Sequence, residues 1–227
     1  MVQTWKSNSN TPAAITFLLV LLVIDLAFIF LHFLLLTDAF ENTLFSLERD
    51  RGYPEVYQYL KIFSIVILLH FLFAKTKVIG YGMWSLLFLY LLLDDAFSIH
   101  ETLGGFIATT LALAPAAGLR AQDFGELAVS LIAATVFLIP IAWFYARGLG
   151  AFKEATKQLL WLLVALAFFG IFVDMLHVAI DMGWKVRFLL GVVEDGGEML
   201  VVSLMAWYVF LIYYRDGHTS SASQMAS

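Results

Sequence analysis

The sequence predicts an all-α, polytopic integral membrane protein: six helices in one bundle, with a re-entrant or interfacial segment between helices three and four. Three observations carry that reading. Of the 227 residues, 62% are hydrophobic and only 14% charged, against about 25% charged in soluble domains. The mean hydropathy is +0.88. Six mostly apolar runs, at 13–36, 56–74, 78–99, 124–146, 158–181 and 187–213, reach the ~20 residues that a helix needs to cross a bilayer core.

The first run follows a single base, Lys6, and has no small-x-small site after it. It exceeds the ~7–15 apolar residues of a signal peptide, so it is expected to be a retained span. The loop from Thr37 to Glu55 alternates in sign through Glu48-Arg49-Asp50-Arg51; this reads as a solvated, salt-bridged turn, with a lid as the alternative. Runs two and three are joined by a short basic connection containing Lys75 and Lys77. Between runs three and four lies Leu103 to Leu119, apolar but short, opening on Gly104-Gly105 and broken by Pro115 and Gly118. Such a segment is tolerated at membrane depth only where protein or water satisfies its backbone. Residues 1–217 form a single transmembrane domain, and the Ser-rich residues 218–227 read as a disordered tail.

Six spans put both termini on one side. That side carries Lys6, Lys75, Lys77, Arg147, Lys153, Lys157 and Arg215 in short segments, with only Glu154 and Asp216 as acids. The other side carries Arg49, Arg51, Lys61, Arg120, Lys185 and Arg187, so the Lys/Arg count is nearly balanced, and it is the clustering of the termini-side bases in short loops that favours cytoplasmic termini, in a bacterial inner (plasma) membrane. Threading the helices accordingly brings nearly all the ionisable residues within the spans, His70 excepted, to the opposite half. Asp94, Asp95, His100 and Glu101 end helix three; Asp123 and Glu126 begin helix four; Asp174, His177 and Asp181 end helix five. Glu194, Asp195 and Glu198 lie early in helix six, and His32 and Asp38 end helix one. Each ionisable group within a span costs roughly 2.5–3.5 kcal/mol on insertion scales. So many acids at one depth call for protons, cations or deep hydration.

Several of these acids share helical faces. Asp174, His177 and Asp181 recur at i, i+3 and i+7, within about a 60° arc. Their Asp-x-x-His spacing is comparable to the Glu-x-x-His units of di-metal bundles; a capped helix end is the alternative. Glu194 and Glu198 flank Gly196-Gly197 at i, i+4, where two carboxylates must share a proton or a cation. Asp94, Ser98 and Glu101 share a stripe, and only a helix end near Phe97 would turn His100 and Glu101 back inward. Asp123 suits the positive end of a helix dipole, and Glu126 sits one turn deeper. Asp25, near mid-membrane, reads as a member of a proton path or as the partner of Lys61 or a tyrosine.

Other chemistries are excluded by what the chain lacks. With no cysteine there are no disulfides, thiolate nucleophiles or Cys-ligated metals. No basic run supports nucleic-acid binding, and no nucleophile elbow, phosphate loop or His-Glu-x-x-His occurs. Asp and His residues placed on several helices near one interface resemble the intramembrane metal hydrolases of the alkaline ceramidase and adiponectin-receptor type. Only His177 matches their deep histidines, and their paired late-helix histidine motif is missing. Di-iron carboxylate bundles carry two Glu-x-x-His units where this chain has one Asp-x-x-His, so neither resemblance establishes a family.

The function expected from these residues is that of an intramembrane metal-dependent hydrolase acting on a lipid or other amphiphile from the extracytoplasmic leaflet. Asp94, Glu101, Asp174, His177, Glu194 and Glu198 would hold one or two divalent ions, with Zn, Mn, Fe or Mg favoured by the oxygen-rich set. Glu126 or Asp181 would act as general base toward metal-bound water. Two alternatives use the same cluster: a cation or proton transporter, and a non-catalytic accessory or sensor protein. The expected partners are membrane lipid and an amphiphilic substrate, with no nucleic acid.

Overall fold

The computed structural model describes residues 12–37, 39–179 and 183–225; two members of the expected acidic set, Asp38 and Asp181, lie outside the described residues. Secondary structure among the described residues is helical, apart from one isolated bridge between Ala116 and Leu119. In chain order the helices are α1 (Pro12–Leu36), α2 (Tyr53–Thr76), α3 (Ile79–Ala96), α4 (Ile99–Thr110), α5 (Ala121–Arg147), α6 (Gly150–Ala167), α7 (Asp174–Ala179) and α8 (Trp184–Met225). A π-helical turn, Phe168–Val173, joins α6 to α7 so that the two run as one rod. Six helical stretches are long and apolar enough to cross a membrane: α1, α2, α3, α5, the α6–α7 rod and α8. The fold is therefore that of an integral membrane helical bundle.

Local chemistry sets the helix ends. α2 follows Gly52, carries Pro54 in its first turn, and stops where Lys77 turns left-handed at φ 57 and returns its N–H to Phe73 O at 2.8 Å. α3 ends sooner than its apolar run suggests, because Ser98 is left-handed at φ 47 and restarts the chain as α4. Twelve residues in α4 rise only about 18 Å, well short of a ~30 Å hydrocarbon core. Beyond α4 the chain turns at once, closed by reciprocal bonds from Ala116 N–H to Leu119 O and from Leu119 N–H to Ala116 O, at 3.1 and 2.9 Å. Gly118, at φ +82, fits here because a Cβ would meet the Ala179 carbonyl oxygen at 2.6 Å. α5 opens on a reciprocal cap: Asp123 accepts the Arg120 backbone N–H at 2.7 Å and the guanidinium at 2.6 and 2.9 Å.

α4 packs closely against α5, and glycines set that closeness. A Cβ at Gly104 would stand 2.7 Å from the Glu126 backbone nitrogen, and one at Gly125 would stand 2.9 Å from the Gly104 Cα. The contact is thus backbone against backbone. α8 is the most buried of the long helices and packs against α1, α2, α6 and the π-helical turn. It runs past its apolar stretch, with helical backbone to Met225, into the serine-rich end that composition reads as disordered.

One half of the bundle is dry. Ile65, Leu69, Leu72, Trp84, Phe88, Leu159, Val202, Met205 and Val209 fill it, and the Trp84 indole N–H meets its need by donating to Thr156 Oγ1 at 3.2 Å. Polar side chains collect toward the other end, where the loop after α1, the α3–α5 connection and the start of α8 meet.

Candidate functional site

Four polar groupings occupy that end. The deepest joins α1, α2 and α8. Lys61 Nζ lies 2.9 Å from Asp25 Oδ1 and also donates to the Met199 carbonyl at 2.8 Å and to Ser203 Oγ at 3.1 Å. Ser203 in turn donates to Asp25 Oδ2 at 2.5 Å. The ammonium also stands 4.7 Å from the Tyr57 ring centroid, so an aromatic quadrupole is its fourth neighbour. Asp25 and Ser203 are fully buried and Lys61 is 3% exposed. A charge pair this deep is tolerable because all three ammonium hydrogens have acceptors. Ser203 is the member that sequence reasoning missed. It lies four residues after Met199, on the helical face that Lys61 approaches, but a lone serine in an apolar run carries no signal of its own.

Above this pair lies an acidic crevice of about 160 Å³. The loop after α1 contributes Glu48, Arg49 and Asp50, α2 contributes Glu55 and Gln58, α3 contributes Asp95, and α8 contributes Asp195, Glu198 and Met199. Six carboxylates therefore face one guanidinium. Glu55 is held locally, accepting from the Arg51 backbone N–H and from Tyr59 Oη. Gln58 is only 8% exposed, and its Oε1 has no hydrogen-bond partner. An amide oxygen left unpaired beside carboxylates is a neutral oxygen donor awaiting a cation or a proton donor.

Glu198 enters this crevice beside the π-helical turn. Gly170 sits in that turn, and a Cβ there would collide with Glu198 Oε1 and stand 3.2 Å from Cδ. On α8, a Cβ at Gly197 would collide with the Phe169 ring. One extra residue in the turn, with glycine at the contact, lets the carboxylate pack against bare backbone. π-turns of this kind are frequent at functional sites. The only trace in the sequence is Gly170 within Phe168-Phe169-Gly170-Ile171-Phe172, and apolar periodicity does not reveal a π-turn.

The third grouping joins α7 and α8. His177 Nδ1 lies 2.9 Å from Glu194 Oε2, and Asp174 is within hydrogen-bonding reach of Glu194. The fourth is at the α3–α4 break. His100 Nδ1 lies 2.9 Å from Asp94 Oδ2, and Tyr90 Oη donates to Asp94 Oδ1 at 3.3 Å. Here the left-handed Ser98 folds α4 back so that His100 meets Asp94. His100 lies outside the spans, and its pKa is raised above 6.5 chiefly by the hydrogen bond to Asp94.

The expected ligand set is divided among these groupings. Asp174, His177 and Glu194 come together, Glu198 faces the acidic crevice, and Asp94 pairs with His100. Glu101 is exposed in the first turn of α4, where an acid complements the helix dipole. Glu126 accepts from Gln122 Nε2 at 2.7 Å and packs beside Gly104. Asp181 lies outside the described residues. Among the described residues, no three Asp, Glu or His side chains gather closely enough to hold a metal ion. Asp95 and Asp195, left out of the expected ligand set, line the crevice instead, together with the loop acids Glu48 and Asp50.

A family model described as a domain of unknown function, DUF8692, matches residues 60–213. That stretch runs from α2 to α8 and includes Lys61, Asp95, Asp195, Glu198 and Ser203. No curated protein and no solved structure matches the chain.

Proposed function

The chain belongs to the DUF8692 family, whose description names no activity, and from the chain's own geometry we propose a cation or proton transporter in which the acidic crevice is the entry site. One observation carries this reading: six carboxylates and an unpaired amide oxygen surround a space of about 160 Å³ that holds one guanidinium. Like charges lining one space repel, least screened among the half-buried members Glu55, Asp195 and Glu198. Bound protons, a cation, or an exchange between them relieve that repulsion. The Asp25–Lys61–Ser203 grouping forms the floor, and the Met199 carbonyl that Lys61 grips follows Glu198 directly. Below Lys61 the apolar core closes the path, so release to the far side requires α2 and α8 to part.

In this reading the termini are cytoplasmic, the crevice opens to the extracytoplasmic face of a bacterial inner membrane, and α4 with its following turn re-enters without crossing. The clustered bases at the termini side support the orientation. The short α4 and its glycine contacts with α5 support the re-entry. A metal-dependent hydrolase on the same residues has less support, because the expected ligands fall into separate groupings.

Liposomes holding the purified protein and a pH-sensitive dye test the proposal. An imposed sodium, magnesium or manganese gradient should drive proton movement in wild type and fail to do so in Glu198→Gln. Vesicles in which wild type moves no protons under any gradient would overturn transport, and lipid cleavage in the same vesicles would restore the hydrolase.

A further inference from the structure

The loop that carries Glu48, Arg49 and Asp50 into the acidic crevice is fastened to α1 by one histidine. His32 is 4% exposed, and its Nδ1 accepts the Leu47 backbone N–H at 3.2 Å. Ser46 Oγ stands 3.2 Å from the same nitrogen. The loop's other backbone bonds among the described residues, from Phe45 to Asn42, Ser46 to Thr43 and Gly52 to Arg49, run within the loop itself. Leu47 is buried, so the bond to His32 seats the loop's anchor. A backbone N–H can only donate, so the seated loop requires a neutral ring with its proton on Nε2. That ring stacks on Phe188 of α8, with centroids 5.0 Å apart and planes 7° apart. Its Nε2 is enclosed without a hydrogen-bond partner.

A second ring proton does not fit this seat. The imidazolium presents two N–H donors; the enclosure offers Ser46 Oγ to one of them and nothing to the other, and the Leu47 N–H loses its acceptor. A buried cation with unpaired donors around it is unfavourable. The charged groups that share the cleft beside the ring are Glu48, Arg49 and Asp50 of the loop, while α8 meets the ring with uncharged Phe188. Neither carboxylate bonds the ring in the seated loop. We propose that His32 is a pH-dependent latch: the neutral ring holds the loop over the acidic crevice, and protonation frees it. Lifting the loop withdraws Arg49 together with Glu48 and Asp50, and leaves Glu55, Asp95, Asp195 and Glu198 open to solution. Acidity on the crevice side then admits cations. That consequence rests on the transport reading, whereas the latch itself does not.

Spin labelling reads the latch without a transport assay. Leu44 is half-buried in the loop, and the chain has no native cysteine. A nitroxide on Leu44→Cys should be immobilised at about pH 8 and mobile at about pH 4.5, a range that brackets histidine titration. In His32→Gln the amide oxygen can accept the Leu47 N–H at either pH, so the label should stay immobilised throughout. Release in that variant as in wild type would assign the change to the carboxylates and overturn the latch. Histidine-selective ¹⁵N NMR of wild type supplies a readout that does not depend on the variant folding. The His32 ring nitrogens should pass from the Nε2–H tautomer to imidazolium over the same pH interval in which the loop loosens. A loop that stays immobilised down to about pH 4.5, or a His32 that titrates over a different interval, overturns the proposal.

Discussion

Lys61 Nζ of α2 and Asp25 Oδ1 of α1 lie 2.9 Å apart where both helices face α8, with 2% and 0% of their side chains exposed. Removing one partner strands the other in an apolar core, which costs about 3–5 kcal/mol, whereas replacing both with apolar residues is often close to neutral. Lys61→Met should therefore lower the unfolding midpoint in detergent strongly. Asp25→Leu combined with Lys61→Met should recover most of the loss, since Ser203 can turn its hydroxyl to the carbonyl of Met199, four residues earlier. Additive losses in the double-mutant cycle would show that the pair is not coupled as described.

The His100–Asp94 pair makes stability depend on pH, and the direction follows from its raised pKa. A histidine whose pKa is higher folded than unfolded stabilises the fold fully below its ordinary value. That contribution fades as pH rises through the folded value. The melting temperature of wild type should thus fall as pH rises from about 6.5 through this histidine's raised folded value. His100→Gln should flatten that part of the curve. A wild-type profile that rises over the same interval would contradict the pairing.

Topology is open to direct labelling, because the chain has no cysteine of its own. Thr102→Cys and Ala121→Cys flank the α4 segment. An impermeant thiol reagent should reach both from the same side of the membrane. Reaction from opposite sides would make the segment a seventh span.

The fold was largely legible in the sequence because bilayer thickness imposes a length on every crossing, and six runs met it. The break after α3 was legible too: the polar residues from Asp94 to Glu101 could not share one helical face, and the chain breaks at Ser98. The site was less legible. Depth along the helices brought the acids to one end, but depth says nothing of rotation about each helix axis. Asp94 and Asp95 are neighbours, yet one pairs with His100 and the other lines the crevice. Glu194 and Glu198 share a helical face, yet the first meets His177 and the second packs on Gly170. The π-turn reset the register that would have been needed to foresee this. The loop acids Glu48 and Asp50 read as solvated and are exposed, but the sequence did not show that, with Leu47 buried beside them, they also line the crevice.

Proton counting tests the acidic crevice most directly. Purified protein in a weakly buffered solution is mixed with sodium, magnesium or manganese chloride while a pH electrode records the protons released. If the crevice exchanges protons for cations, at least one of these salts should release protons from wild type in a saturable manner. Asp195→Asn combined with Glu198→Gln should abolish most of that release, and the same cation should raise the melting temperature of wild type alone. Wild-type protein that releases no protons and gains no stability with any of the three would contradict the account.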